Sequence, residues 1–209
     1  TYMLVSGQLF FAAICTVYVI CGTGDFVAGG FLAETAGRGL PSGGVLCLLF
    51  LMMIVGGAVK AGVMPLHSWL PSAMVAPTPV SALLHAVAVV KAGAFCVLRV
   101  VCYVFGPQLS IACGGAKLLA WAAALTIIVS SFIALRKDNL KARLAFSTVG
   151  QLSYIVMGIC VCAQASLAGA LFHMAAHAFL KITLFMCAGA IFVTTGLSEI
   201  SSMRGLARR

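Results

Sequence analysis

Acidic side chains are scarce in this sequence. There are four among 209 residues, Asp25, Glu34, Asp138 and Glu199, and none lies inside an apolar run. Charge of either sign is rare: 8% of residues are Asp, Glu, Lys or Arg, against 63% hydrophobic. Soluble globular domains carry about 25% charged residues, so that class is excluded, and the mean hydropathy of +1.16 agrees. The sequence lacks the apolar–polar alternation over about ten residues that a membrane β-barrel needs. Its nine cysteines include no CxxC pair and no metal-ligand spacing, so no zinc or iron–sulfur site is expected. Cys15, Cys47, Cys96, Cys160 and Cys187 fall inside apolar runs and read as small hydrophobes. No catalytic nucleophile, nucleotide loop or quinone motif is visible, so neither redox chemistry nor a cofactor is expected of this chain. A signal peptide is also missing. The sequence starts at Thr1, directly in an apolar run, which reads as a fragment, a processed product or part of a split protein.

What is present is a series of continuous apolar runs long enough to span a bilayer as helices. The expected fold is an all-α polytopic membrane protein, one transmembrane domain over residues 1–209, with about six spans of which one is discontinuous. The spans are read as Tyr2–Cys21; Gly43 onward, broken around Ala61–Pro65 and resuming as Leu66–Val75; Thr78–Phe105, stopped by Gly106-Pro107; Leu118–Leu135; Leu144–Cys162; and Ser166–Thr195. A polar loop, Gly22–Ser42, follows the first span.

Thirteen Lys and Arg give a net charge of +9. Most of them fall between apolar runs, so they are read as setting orientation rather than as binding nucleic acid. Arg136, Lys137, Lys141, Arg143, Arg204, Arg208 and Arg209 collect on one side of the membrane, and Arg38 and Lys117 on the other. The positive-inside rule then places both ends of the chain on the cytoplasmic or matrix side, in a bacterial plasma membrane or a mitochondrial inner membrane.

The ionisable residues inside the apolar runs are all basic: Lys60, His85, Lys91, His173, His177 and Lys181. Charges in hydrocarbon are costly and mark ion or proton paths. Lys60 stands just before Ala61-Gly62-Val63-Met64-Pro65, where Gly62 and Pro65 interrupt the helix. Such breaks at membrane depth are tolerated where the backbone is covered by protein or lines a cavity. The other reading is a lysine at the membrane interface ending a normal helix. His173, His177 and Lys181 recur every four residues, which puts them on one slowly drifting helix face. Imidazoles titrate near neutral pH and a buried lysine releases its proton more readily, so the series can relay protons. Polar packing between helices and an HxxxH metal pair are the alternatives, although no third ligand accompanies the pair. Ser81 and His85 share a face, whereas Lys91 lies about 120° from His85 on a regular helix. His85 and Lys91 are therefore expected to face two neighbouring helices. His85 could also be a hydrogen-bonded structural residue. Arg99, nearer the end of its span, is expected to snorkel. Buried cations need a carboxylate, and none is available in these runs.

The run Lys60–Arg99 (KAGVMPLHSWLPSAMVAPTPVSALLHAVAVVKAGAFCVLR) resembles the antiporter-like proton-translocating subunits shared by respiratory complex I, membrane-bound hydrogenases and Mrp cation/proton antiporters. Lys137–Gly158 (KDNLKARLAFSTVGQLSYIVMG) and Phe172–Ala190 (FHMAAHAFLKITLFMCAGA) agree, in the same order. The resemblance implies a fourteen-helix core with two inverted five-helix repeats, each containing a broken helix, of which this sequence covers roughly helices six to eleven. It implies that Lys60 is the central lysine of the first broken helix, that His85 and Lys91 are linking residues, and that His173, His177 and Lys181 join the two half-channels. A glutamate paired with Lys60 would come from a segment or chain outside this sequence, among other membrane subunits of the complex and the surrounding lipid bilayer. PTPVSALLHA leans towards the largest complex I pumping subunit and the A-type Mrp subunit. VVKAG leans towards the smaller pumping subunits and the D-type Mrp subunit.

Three functions follow as expectations. The first is a proton-translocating subunit of a complex I-type NADH:quinone oxidoreductase, pumping within a redox-driven enzyme. The second is a subunit of an Mrp-type Na⁺/H⁺ antiporter, and the third is a membrane scaffold that kept the helices but not the channel.

Overall fold

Within lipid no water is available to backbone polar groups, so an apolar run must satisfy its own N–H and C=O groups, and a helix does so. The computed structural model describes residues 2–34 and 42–206. Arg38 and Pro41 of the first loop, and Arg208 and Arg209 of the basic tail, lie outside the described residues. Six helical spans are long and apolar enough to cross a membrane, and no strand occurs among the described residues. The molecule is an all-α polytopic membrane protein.

The helices are α1 (Tyr2–Cys21), α2 (Phe31–Glu34), α3 (Gly43–Ala61), α4 (Trp69–Ser72), α5 (Thr78–Ala86), α6 (Val89–Arg99), α7 (Pro107–Ala112), α8 (Gly115–Arg136), α9 (Leu140–Cys160) and α10 (Gln164–Thr195). Helix α3 lies between α1 and α6, α8 pairs along α9, and α10 packs on α9 and α5. The centre is apolar, with Phe50, Val97, Val101, Phe105, Val149 and Leu152 buried. The outer faces are apolar too: Trp121 on α8 and Phe172 and Phe179 on α10 are each more than three-quarters exposed, facing outward to lipid or neighbouring chains.

A short helix, α2, lies within the stretch read as the Gly22–Ser42 loop, and the described spans depart from the sequence reading chiefly in three places. After the break, helix returns only at Trp69–Ser72 with a 3₁₀ turn at Ala73–Val75, shorter than the expected Leu66–Val75. A short helix, α7, follows Gly106-Pro107, where the sequence suggested only a stop. The third change matters most. Thr78–Phe105 is not one regular helix. It is offset at Val87–Ala88, where the amides of both residues turn back to the Leu83 carbonyl, and its last turn, Val100–Val104, is π-helical. Neither proline nor glycine marks the offset in the sequence.

Local contacts fix the loops at both ends of the molecule. Gly106 (φ +81°) sits so close to the loop after α1 that a Cβ there would lie 1.8 Å from the Gly29 carbonyl oxygen, so only glycine fits. At the basic end, Asn139 caps α9 by accepting the Ala142 amide at 3.1 Å. Beside it, Asp138 accepts the Ser201 hydroxyl at 2.6 Å and the Ser201 amide at 3.1 Å. The Ser201 hydroxyl first, and then its amide, hold the Asp138 carboxyl below the usual carboxylate range. A carboxyl with a lowered folded-state pKa contributes stability above its ordinary pKa and loses it as pH falls through the lower folded value. The hold of Asp138 on Ser201 is therefore expected to weaken on acidification through that window, while the Ile200 amide keeps its bond to the Asp138 carbonyl. Amide hydrogen exchange at Ser201, faster at acid pH after correction for intrinsic rates, is the measurement. An unchanged protection factor would contradict it.

Candidate functional site

The break after α3 follows from local chemistry. Gly62 takes the left-handed conformation (φ +74°), and the Val63 and Gly62 amides fold back onto the Ala58 and Val59 carbonyls at 3.0 and 3.2 Å. This is the glycine-ended helix stop that satisfies the last carbonyls internally. Pro65, with no N–H, cannot restart the helix at once. The Trp69 indole N–H donates to the Val59 carbonyl at 2.6 Å, and the Met64 amide donates to the Thr126 hydroxyl of α8 at 3.1 Å.

Lys60 occupies the last turn of α3, and its side chain is exposed. It opens into a cleft of about 130 Å³ beside Met3, Ser6, Gly7 and Phe10 of α1, Gly56 of α3 and Cys96 of α6. Its stem packs on Gly93 of α6, where a Cβ would come within 2.7 Å of Lys60 Cβ.

The remaining basic residues gather on the other side of α6, around α10. Lys91 is hydrogen-bonded to Nδ1 of His177. A protonated lysine can only donate, so in this pair Nδ1 accepts and a neutral His177 ring carries its proton on Nε2. His173 stacks on His177 with ring centroids 6.2 Å apart, and Tyr154 of α9 meets the His173 edge at 6.5 Å. One turn on, Lys181 is 5% exposed and donates to Ser147 Oγ at 2.5 Å and the Leu144 carbonyl at 3.2 Å, both on α9. His85 is wholly buried against Phe185 at 5.4 Å, and neither of its ring nitrogens has a described partner. The same holds for Nε2 of His173 and of His177.

His85 and Lys91 therefore face one helix, α10, not two. The offset at Val87–Ala88 breaks the regular 100° step on which that expectation rested. Lys60 stands apart. Gly93, two residues beyond Lys91 and so on the opposite face of α6, meets Lys60, and no described contact joins Lys60 to His85 or Lys91. Arg99 lays its guanidinium over Phe26 and Phe95 at 4.7 and 4.8 Å, so its charge is held by aromatic faces.

None of the described hydrogen-bond partners of Lys91 and Lys181 is a carboxylate. Among the described residues no group of three or more His, Cys, Asp or Glu could hold a metal ion.

Three polar groups escaped the sequence pattern. Ser147 holds Lys181, and Thr126 holds the break. His67 has a buried, unpartnered Nδ1 beside Phe146. Thr126 is a lone hydroxyl in an apolar stretch, and Ser147 and His67 each sit beside one other polar residue, signals that gain meaning only once the facing helix is known.

Comparison with known proteins places this geometry in a family. The family described as NADH:quinone oxidoreductase/Mrp antiporter, transmembrane, matches residues 1–209. NAD(P)H-quinone oxidoreductase chain 5 of Synechocystis sp. is 36% identical over 179 residues, covering 85% of this chain and 25% of that protein. F(420)H(2) dehydrogenase subunit L of Methanosarcina mazei is 35% identical, covering 77% of this chain and 24% of that protein. Among solved structures, the Mrp complex from Dietzia sp. DQ12-45-1b superposes with a TM-score of 0.81 at 31% identity, covering 93% of this chain and 21% of that one. The archaeal membrane-bound sulfane sulfur reductase gives 0.79 at 27% identity, covering 98% and 40%. The chain spans about a quarter of the length of these two curated relatives. With the match running from residue 1 to residue 209, this chain belongs to the NADH:quinone oxidoreductase/Mrp antiporter transmembrane family.

Proposed function

We propose that this chain is part of a proton-translocating membrane subunit of a complex I-type NADH:quinone oxidoreductase, and that Lys91, His177 and Lys181 carry the proton. The observation that supports this most is the Lys91–His177 hydrogen bond, with Lys181 one turn along the same helix, buried on two oxygen acceptors. The exchange is chemically simple. The Lys91 ammonium gives a proton to His177 Nδ1, leaving a neutral lysine and a doubly protonated ring, whose Nε2–H then passes its proton to an acceptor that enters beside it. His173 extends the row by stacking. His85 supplies two unpaired nitrogens on the Phe185 side. Lys60 acts from its own cleft and needs a carboxylate from another segment or subunit to set its proton affinity. Other membrane subunits surround the chain, with both of its ends on the cytoplasmic or matrix side of a bacterial plasma membrane or a mitochondrial inner membrane.

The second reading, an Mrp-type Na⁺/H⁺ antiporter subunit, is favoured by the superposition on the Mrp complex at 31% identity. Purifying the native assembly and reconstituting it in proteoliposomes decides between them. Protons driven by NADH and a quinone, in a preparation holding flavin and iron–sulfur subunits, support the first. Sodium-driven proton movement with no redox subunit supports the second. If neither occurs, and Lys60→Ala and Lys181→Ala assemble unchanged, the scaffold reading stands instead.

A further inference from the structure

A helix that stops inside a membrane leaves its last carbonyls and the next amides without partners, and in a low-dielectric surround each must find one. After α3, the Gly62 and Val63 amides find theirs on the helix itself. The Met64 amide does not. It is taken by the hydroxyl of Thr126, which is wholly buried on α8 and donates its own proton to the Ala122 carbonyl at 2.7 Å. On the carbonyl side, Val59 accepts a second bond from the Trp69 indole. The Met64 amide is thus tied by a side chain 62 residues distant in sequence, and the Val59 carbonyl, already taken by the Gly62 amide, gains a second donor. Gly62 is packed in between, with Leu70 and Val149 side chains 3.5 and 3.7 Å from where its Cβ would be.

Lys60 lies two residues before this stop, within one turn of carbonyls that carry the partial negative charge of a helix C-terminus. Its stem is held by Gly93, and its cleft holds one titratable neighbour among the described residues, Cys96. The Gly62 and Val63 amides cover the Val59 and Ala58 carbonyls, so the placing of the segment after the stop decides how much of that charge is left facing the ammonium.

We propose that Thr126 is a positioning residue for Lys60, fixing the broken end of α3 by holding the Met64 amide, with Trp69 securing the carbonyl end. This rests on the reading of Lys60 as a proton-carrying group. Valine at position 126 keeps the shape and removes the acceptor, whereas serine keeps it.

The test measures proton translocation against pH in proteoliposomes of the assembled complex, for Thr126→Val, Thr126→Ser, Trp69→Phe and Lys60→Ala. Thr126→Val is expected to lose about tenfold in rate and to shift its pH profile, while Thr126→Ser stays near the parent. Wild-type rate and pH profile in Thr126→Val, with Lys60→Ala inactive, would overturn the positioning role and leave the transport reading intact. A fully active Lys60→Ala overturns both. Should Thr126→Val fail to assemble, Trp69→Phe decides: a shifted pH profile supports the clamp, and an unshifted one removes it.

Discussion

Lys181→Ala is expected to lower proton translocation by about tenfold or more in the assembled complex, equivalent to about 1.4 kcal/mol or more on the limiting step. The lysine is almost fully buried and its ammonium rests on Ser147 Oγ and the Leu144 carbonyl. Helix α9 offers no other ionisable side chain between Arg143 and Tyr154, so nothing on that face of the partner helix substitutes for the charge. Rates are normalised to assembled protein. The companion variant Ser147→Ala removes one acceptor and keeps the lysine, so its loss should be smaller than that of Lys181→Ala. Equal rates in Lys181→Ala and the parent would make Lys181 a packing residue and remove the centre of the proposed relay.

Gly93→Ala should strongly destabilise the seam between α3 and α6. A Cβ at this position would stand 2.5 Å from the Ala61 amide nitrogen and 2.7 Å from the Gly57 carbonyl oxygen. Both are backbone atoms in the last turns of α3, so no side-chain rotation relieves the overlap and the two helices must part. Overpacking of this kind costs about 3 kcal/mol at the upper end of the usual range, which lowers the melting temperature of a chain this size by roughly 6–12 °C. Thermal unfolding of the purified complex, followed by the loss of folded protein in detergent, is the readout. The same substitution presses on Lys60 Cβ at 2.7 Å, so the surviving fraction should also translocate more slowly. A melting temperature within a degree of the parent would mean that α3 and α6 are not held as close as described.

The sequence makes the spans and the first break readable because their causes are local. Runs of apolar residues select helices, and Gly62 with Pro65 ends one. The HxxxHxxxK series also shows its face directly, since a spacing of four survives any packing. The failures come from causes that are not local. The offset at Val87–Ala88 lies in a valine-rich stretch with no helix breaker, and it alone decides that His85 and Lys91 meet the same helix. The separation of Lys60 from Lys91 depends on which side of α6 each approaches. Thr126 and Ser147 look like ordinary hydroxyls in apolar helices, and their roles come from a backbone amide and a lysine on other helices. Spacing within one helix is thus legible, whereas pairing between helices is not.

The offset at Val87–Ala88 has a mechanical consequence. Before it α5 packs on α10, and beyond it α6 packs on α3, while α9 touches both α6 and α10. Lys91, beyond the offset, bonds His177 on α10. That bond therefore ties the second half of the offset span to the helix on which the first half packs, so the angle at the offset and the Lys91–His177 bond are set together.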